Sequence, residues 1–118
     1  MGDEPLTAAD LDQFRGGGPH HPYHLGGSYS EGVRFVAEKG KAWWLVGAIL
    51  SCQKAFLARR EPFQVWTLRK LATRSVLEMT DGSSPAVLLR RDVEDMTFPL
   101  NDIELFFADG VLMLPGEQ

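Results

Sequence analysis

The residues best suited to metal chemistry are three histidines within five positions of one another, His20, His21 and His24. Imidazole nitrogens are common ligands of zinc and other transition metals, so this spacing raises the hypothesis of a metal-dependent enzyme. Pro19 and Pro22 exclude the helix that would place His20 and His24 on one face. A metal site also needs ligands that neighbouring groups hold in position, and the surrounding glycines favour a surface loop instead.

A second group of candidate residues is acidic and lies in the last 27 positions of the chain, 92–118. This segment holds seven carboxylates and no Lys, Arg or His, whereas the 38 residues before it hold eight Lys or Arg against three acids. Such a separation of charge favours a surface that selects a basic partner. The candidate binding residues in this segment are Asp92, Glu94, Asp95, Asp102 and Glu104.

The same acids have two other interpretations. Carboxylates on one strand can pair with cations on the next, and four arginines are available for that pairing: Arg69, Arg74, Arg90 and Arg91. A divalent cation site would need several oxygens that converge on one point, and the segment has no calcium-loop spacing.

No motif in the sequence indicates a particular reaction, and an enzyme is not the favoured interpretation. The single cysteine, Cys52, lies in a helical pattern with only Lys54 as a basic neighbour, which favours a structural role over a reactive thiolate. All three histidines share one segment, and no serine lies in a nucleophile-elbow context. The basic stretch 54–91 is a candidate nucleic-acid surface, but it lacks the interleaved aromatic residues of single-strand binders.

Length and composition favour one compact domain over residues 1–118. One cysteine cannot form an internal disulfide and the acidic N-terminus has no secretory signal, so we expect a cytoplasmic protein. The most apolar stretch, 42–50, is far shorter than the roughly 20 residues of a membrane-spanning helix. We therefore expect no membrane span, and the motifs indicate no cofactor.

Helical patterns fill the first half of the chain. The spacing predicts helices over residues 7–14, 29–39 and 41–58, the first with Thr7 as its N-cap. Between the first two, the segment 16–27 is rich in glycine and proline and is predicted to be a flexible, irregular loop.

The third helix is predicted to be the centre of the core, because apolar residues cover much of its circumference. Trp43, Val46 and Leu50 recur along one side of it, so all three are expected to be buried.

In the second half of the chain the pattern changes to short β-rich runs separated by turn residues. The Asp-Gly pair at 109–110 is the strongest hairpin signal. Strand alternation places Ile103, Leu105 and Phe107 on one face and Glu104 on the other. The predicted fold is therefore α+β, with two or three N-terminal helices packed on a four- to five-stranded antiparallel sheet.

Several segments resemble those of a family of small bacterial proteins of unknown function that is often found on plasmids and other mobile elements. The matching segments are ADLDQF, YSEGVRFVAEKGKAWWLVGAILSCQ, FQVWTL, TFPLNDIELFF and DGVLMLPGE, in the family's order. The chain differs from the family at residues 16–27 and at Gly47, where many relatives carry an acidic residue. The resemblance implies a compact α+β fold and a mobile-element origin, and it supplies no catalytic residues.

The sequence alone does not name a function, and three hypotheses follow from it. The favoured one is a non-catalytic protein-binding accessory factor of a mobile element, for example an inhibitor of a host defence or nucleic-acid enzyme. Its support is the separation of charge, the missing catalytic constellation and the family's setting. The alternatives are a metal-dependent enzyme that uses the histidines and a direct nucleic-acid binder that uses the basic stretch.

Overall fold

The computed structural model describes residues 6–16, 18–24, 26–53, 61–94 and 97–118, and these ranges form an α+β fold. No helix in them has the length and apolar content needed to span a membrane. The elements in chain order are α1 (Ala8–Leu11), β1 (His20–Pro22), β2 (Ser28–Ser30), α2 (Glu31–Lys39), α3 (Trp43–Cys52), β3 (Phe63–Lys70), β4 (Ser75–Thr80), β5 (Leu89–Val93), β6 (Asp102–Ala108), β7 (Val111–Met113) and a C-terminal 3₁₀ turn (Pro115–Glu117).

The strands of the described residues form one seven-stranded sheet in the order β1-β2-β7-β6-β3-β4-β5. Strand β2 runs parallel to β7, and the other neighbouring pairs are antiparallel. The β6–β7 hairpin turns through Asp109 and Gly110, whose φ angles are 52° and 80°. Two consecutive positive φ angles match the twist of the flanking strands, which explains why the Asp-Gly pair lies here.

The predicted four- to five-stranded antiparallel sheet is wrong, because β1 and β2 precede α2 and add a parallel pair. Strand β1 lies inside the segment 16–27, for which the sequence predicts an irregular loop. Main-chain bonds hold this part: the Tyr23 N–H donates to the Gly27 oxygen, and the Ser28 N–H donates to the Gly110 oxygen, both at 2.9 Å. Three-residue strands held in this way carry no side-chain periodicity, so the pattern of the sequence does not reveal them.

Side-chain caps mark the start of α1 and of α2. Thr7 caps α1 by accepting a hydrogen bond from the Asp10 N–H, while the Asp10 carboxylate accepts one from the Thr7 N–H. Ser30 caps α2 because its hydroxyl accepts a bond of 3.2 Å from the Val33 N–H. The part of the third predicted helix at 54–58 lies outside the described residues.

The core lies between the helices and the inner face of the sheet. Val46 and Leu50 of α3 are 2% and 3% exposed, as predicted. The prediction for Trp43 is wrong, because this residue is 39% exposed. It is the first residue of α3, where part of its side chain reaches solvent. The ring packs edge-on against Tyr29, with centroids 5.3 Å apart. The inner face of the sheet contributes buried side chains that include Trp66, Leu68, Leu77, Met79, Ile103, Leu105, Phe107 and Leu112.

The C-terminal turn is fixed to the start of α2 by Glu117. Its carboxylate accepts hydrogen bonds from the Ser30 hydroxyl at 2.5 Å, the Gly32 N–H at 3.1 Å and the Leu114 N–H at 2.9 Å. A negative charge at the N-terminus of a helix is favourable because unpaired N–H groups point at it. A Cβ on Gly32 would lie 2.5 Å from a carboxylate oxygen, so this contact requires glycine. The bonds set the direction in which the chain leaves β7.

Candidate functional site

The structure gives each of the three histidines a different environment. His20 and His21 are neighbours in β1, so their side chains point to opposite faces of the strand. The His21 Nε2 is in hydrogen-bond contact with the Glu31 Oε1, and the His24 ring packs against the Tyr23 ring with centroids 4.5 Å apart. Among the described residues, no group of three His, Cys, Asp or Glu side chains could hold a metal. The described geometry therefore gives the metal hypothesis no support.

The contact between His21 and Glu31 predicts a pH dependence of stability. The bond from His21 holds the pKa of Glu31 below its ordinary value of 4.5, with desolvation opposing it and the charges of His21 and Arg34 adding to it. A carboxyl group with a depressed pKa in the folded state adds stability above its unfolded pKa, and that stability is lost as the pH falls through the folded value. We expect Glu31→Gln to be less stable than the wild type at neutral pH, with a difference that shrinks below about pH 4.

Urea unfolding at a series of pH values measures this effect. The matched control is Glu38→Gln, which removes another surface carboxylate of α2 and leaves the contact between His21 and Glu31 in place. A profile of Glu31→Gln that stays parallel to the wild type through the acid range would contradict the assignment.

The described acidic candidates lie on or next to two strands, β5 and β6. Asp92 lies on β5 with its Oδ1 3.3 Å from the Arg74 Nε, so it takes part in pairing within the molecule. Glu94 is exposed just beyond the end of β5, and Asp95 lies outside the described residues. Asp102 and Glu104 both belong to β6 and are exposed. The structure therefore places Asp102 and Glu104 together on β6 and pairs Asp92 with Arg74.

Arginines of the basic stretch are also used within the molecule. Glu78 on β4 lies 2.5 Å from an Arg69 nitrogen and 3.9 Å from an Arg90 nitrogen, and Arg74 is paired with Asp92 as described above. Residues 54–60, which contain the other cations at the start of the stretch, lie outside the described residues. In the described part, ion pairs occupy these three arginines and reduce the charge available to a nucleic-acid backbone.

Asp102 and Glu104 border a groove of about 330 Å³ between α1, the start of β6 and the C-terminal turn. We call it the acidic groove. The described residues that line it include one further acid, Asp12, and one cation, Arg15. Its apolar lining comes from Leu11, Phe14, Leu100, Ile103 and Leu114.

Contacts of α1 with the rest of the fold give the groove its second wall. The Phe14 ring packs on the Phe35 ring of α2 with centroids 5.2 Å apart, and the Lys39 Nζ lies 3.5 Å from the Asp10 carboxylate. The chain after α1 passes so close to the C-terminal turn that a Cβ on Gly16 would lie 2.7 Å from a carbonyl oxygen of that turn. The groove is thus a built feature of the fold with walls held from both sides.

The lining of the acidic groove combines charged and apolar side chains. Among the described residues that line it there is no histidine, cysteine, serine or lysine, and the ionisable groups are three carboxylates and Arg15. It offers carboxylates at the rim, which attract cations, beside an apolar floor that favours the burial of aliphatic groups.

Glu104 also borders a second, more open hollow of about 440 Å³ on the outer face of the sheet. Val65, Phe106 and the loop between β4 and β5 supply much of its lining. Asp102 lines the acidic groove and does not belong to the described lining of the hollow. Replacement of Asp102 therefore tests the groove alone, whereas replacement of Glu104 affects both surfaces.

Sequence reasoning did not place Asp12 and Arg15 beside β6. The spacing of Leu11 and Phe14 indicated that α1 has an apolar face, but periodicity does not say which element that face packs against. The information lies in contacts between the segment after α1 and the C-terminal turn, about one hundred residues away in the chain, and a single sequence carries no signal for them.

Comparison with known proteins gives a family but no function. A family model described as "Family of unknown function (DUF6876)" matches residues 5–118 of the chain. No curated protein and no solved structure matches it. The family match covers every residue that lines the acidic groove.

Proposed function

We propose that this chain, which belongs to the family of unknown function DUF6876, is a non-catalytic protein-binding factor that receives a basic segment of a partner protein in its acidic groove. The observation that carries the proposal is the presence of Asp12, Asp102 and Glu104 around one apolar floor. Arg15 is the one cation among the described residues of that lining, so the described part of the groove is acidic where the partner would enter.

The charges and the apolar floor have separate roles in this proposal. Exposed carboxylates interact over about 10 Å at ordinary ionic strength, so they favour encounters with a basic surface and reject an acidic one. The floor built by Leu11, Phe14 and Leu100 provides the apolar area that holds a bound segment in place.

The proposed setting is that of an accessory factor of a bacterial mobile element. The resemblance described above supports this setting, and the separation of charge along the chain agrees with it. Enzymes that act on nucleic acids carry basic grooves, which are complementary to an acidic surface of this kind. An inhibitor of a host defence or nucleic-acid enzyme is therefore the proposed form of the factor.

The two alternatives have direct tests. Metal analysis of the purified protein tests the metal-dependent enzyme, and an electrophoretic shift assay with DNA and RNA across a salt series tests the nucleic-acid binder. The pairing of Arg69, Arg74 and Arg90 with carboxylates makes the second alternative the weaker candidate in the described part of the chain.

Charge reversal at Glu104 is the central test of the proposal. A partner is first recovered with the tagged wild-type protein from the native host and then purified. We expect Glu104→Lys to weaken its binding roughly two- to tenfold at low salt, since one attraction becomes a repulsion. The difference should shrink as salt rises, because exposed charges are screened.

The matched control is Glu38→Lys, which changes the net charge by the same amount at an exposed position outside the groove. Asp102→Lys is the second test variant, because Asp102 lines the groove and not the hollow beside it. Equal weakening by Glu38→Lys and Glu104→Lys would indicate a general charge effect instead of binding in the groove. Unchanged binding by both groove variants would contradict the proposal.

A further inference from the structure

The start of β6 forms one wall of the acidic groove. In the described part of the chain, it pairs with a neighbouring strand along one edge only. Strand β3 pairs with β6 over residues 102–108, whereas β7 pairs with it only over 106–108. Among the described residues, no strand lies beside 102–105 on the β7 side. An open strand edge presents main-chain donors and acceptors to which another chain can pair.

The pairing with β3 shows which main-chain groups are already used. The Lys70 N–H donates to the Asn101 oxygen at 2.9 Å, so residue 101 directs its main-chain groups at β3. Residues of an antiparallel strand alternate in this respect. The main-chain groups of Ile103 and Leu105 therefore also point at β3, and those of Asp102 and Glu104 point to the opposite side.

The hairpin at the other end of β6 gives the same result independently. A two-residue turn makes the flanking residues, Ala108 and Val111, a hydrogen-bonded pair. Alternation from Ala108 toward the start of the strand then directs the main chain of Asp102 and Glu104 to the β7 side. Their N–H and C=O groups thus face the acidic groove.

The sequence explains why β7 does not continue beside them. The register of β6 and β7 would place Pro115 opposite Glu104, and proline has no N–H to donate. The Leu114 N–H bonds to the Glu117 carboxylate at 2.9 Å instead of to a strand. The chain turns away after Met113, and the edge of β6 that remains is the wall of the groove.

We infer that the acidic groove binds an extended segment of a partner protein as an added strand on the open edge of β6, and that this segment alternates basic and apolar residues. The inference rests on the proposed protein-binding function and adds the geometry of binding. Side chains of an added strand alternate between the two faces of the sheet. Basic residues would lie opposite the side chains of Asp102 and Glu104, and the residues between them would face the apolar lining of the groove.

A designed peptide tests this inference without knowledge of the natural partner. The probe is a fluorescent seven-residue peptide of alternating lysine and valine with blocked ends, and its binding to the full chain is measured by anisotropy at low salt. We expect saturable binding that Glu104→Lys and Asp102→Lys weaken and Glu38→Lys does not. A peptide that alternates glutamate and valine should not bind. Absence of binding by the lysine peptide would overturn the inference.

Backbone methylation separates strand addition from attraction between side chains. In one version of the peptide the lysine N–H groups are methylated, and in the other the valine N–H groups are. In an added strand, the N–H groups of one residue type point at β6 and those of the other point away. The lysine N–H groups point at β6 if the added strand is antiparallel, and the valine N–H groups do if it is parallel. We expect the version methylated on that set to bind on the order of tenfold more weakly or worse, because main-chain hydrogen bonds are lost.

Equal affinity of the two methylated peptides would overturn strand addition. It would leave the proposed function intact wherever binding still depends on Glu104 and Asp102. The proposed function fails by a different result, namely a natural partner that ignores both charge reversals. The two failures are therefore distinguishable.

Discussion

Leu50→Ala is expected to lower the free energy of unfolding by about 2–5 kcal/mol, the usual cost of removing a large side chain from a packed core. Leu50 is 3% exposed and belongs to the core cluster between the helices and the sheet. One of its methyl carbons would lie 3.3 Å from a Cβ on Gly27, so it also packs beneath the turn between β1 and β2. Alanine would leave a cavity between the core cluster and the turn that joins β1 to β2.

Denaturant unfolding measures this loss, and Ser51→Ala is the matched control. Ser51 is the next residue of α3 and is exposed, so its replacement should change stability by no more than about 0.5 kcal/mol. A loss below about 1 kcal/mol for Leu50→Ala would mean that this face of α3 is not part of the core.

Side-chain periodicity predicted the parts of the fold that depend on side-chain burial. The alternation along β6 is confirmed: Ile103, Leu105 and Phe107 are at most 4% exposed, and Glu104 is exposed. Periodicity fails where an element ends, because a residue at the first turn of a helix can lie on the apolar stripe and still reach solvent. Trp43 is the example.

Main-chain pairing is the part of the fold that the sequence did not reveal. Strands β1 and β2 have three residues each, and their sequences are dominated by histidine, proline and serine. Neither composition nor alternation indicates a strand in such segments. The parallel pairing of Ser28 and Tyr29 with Val111 and Leu112 joins distant parts of the chain, so it required the structure.

The candidate site was predictable in part. The excess of acids near the C-terminus pointed to Asp102 and Glu104, but it pointed equally to Asp92, which pairs with Arg74. Register alone does not decide between these outcomes, because Asp102 lies opposite Arg69 and Asp92 lies opposite Val76. The side-chain contacts decide, since Arg69 pairs with Glu78 and Arg74 with Asp92. Charge counting cannot supply such contacts, and the contribution of Asp12 required the packing around α1 as well.

A buried amide network joins α3 to β3 and is the second feature with a large expected effect on stability. The Gln64 side chain is 0% exposed, and its oxygen accepts bonds from the Trp66 Nε1 at 2.8 Å and the Gln53 Nε2 at 2.9 Å. Its nitrogen donates to the Gln53 Oε1 at 2.8 Å and to the Glu61 carbonyl oxygen at 2.9 Å. Both polar atoms of a fully buried amide are therefore paired, which is the condition for tolerating it in a core.

Gln64→Leu is expected to lower the free energy of unfolding on the order of 2–4 kcal/mol, although leucine has a similar volume and is more apolar. The reason is that the indole N–H of Trp66, which is 0% exposed, loses its acceptor and stays buried without a partner. Each buried polar group left unpaired costs about 1–3 kcal/mol, and the Gln53 amide loses two bonds as well. Denaturant unfolding of the variant measures the sum.

A double-mutant cycle with Trp66→Phe assigns the loss to the hydrogen bond rather than to packing. Phenylalanine removes the indole N–H, so Gln64→Leu should cost about 1–2 kcal/mol less in the Trp66→Phe background than in the wild type. Loss of the bond predicts this sign, because Trp66→Phe removes the group that Gln64→Leu leaves unpaired. Additivity within about 0.3 kcal/mol would refute the role of the Trp66–Gln64 bond, whereas coupling of the expected sign would show that Gln64 stabilises the fold as the acceptor of the buried indole N–H.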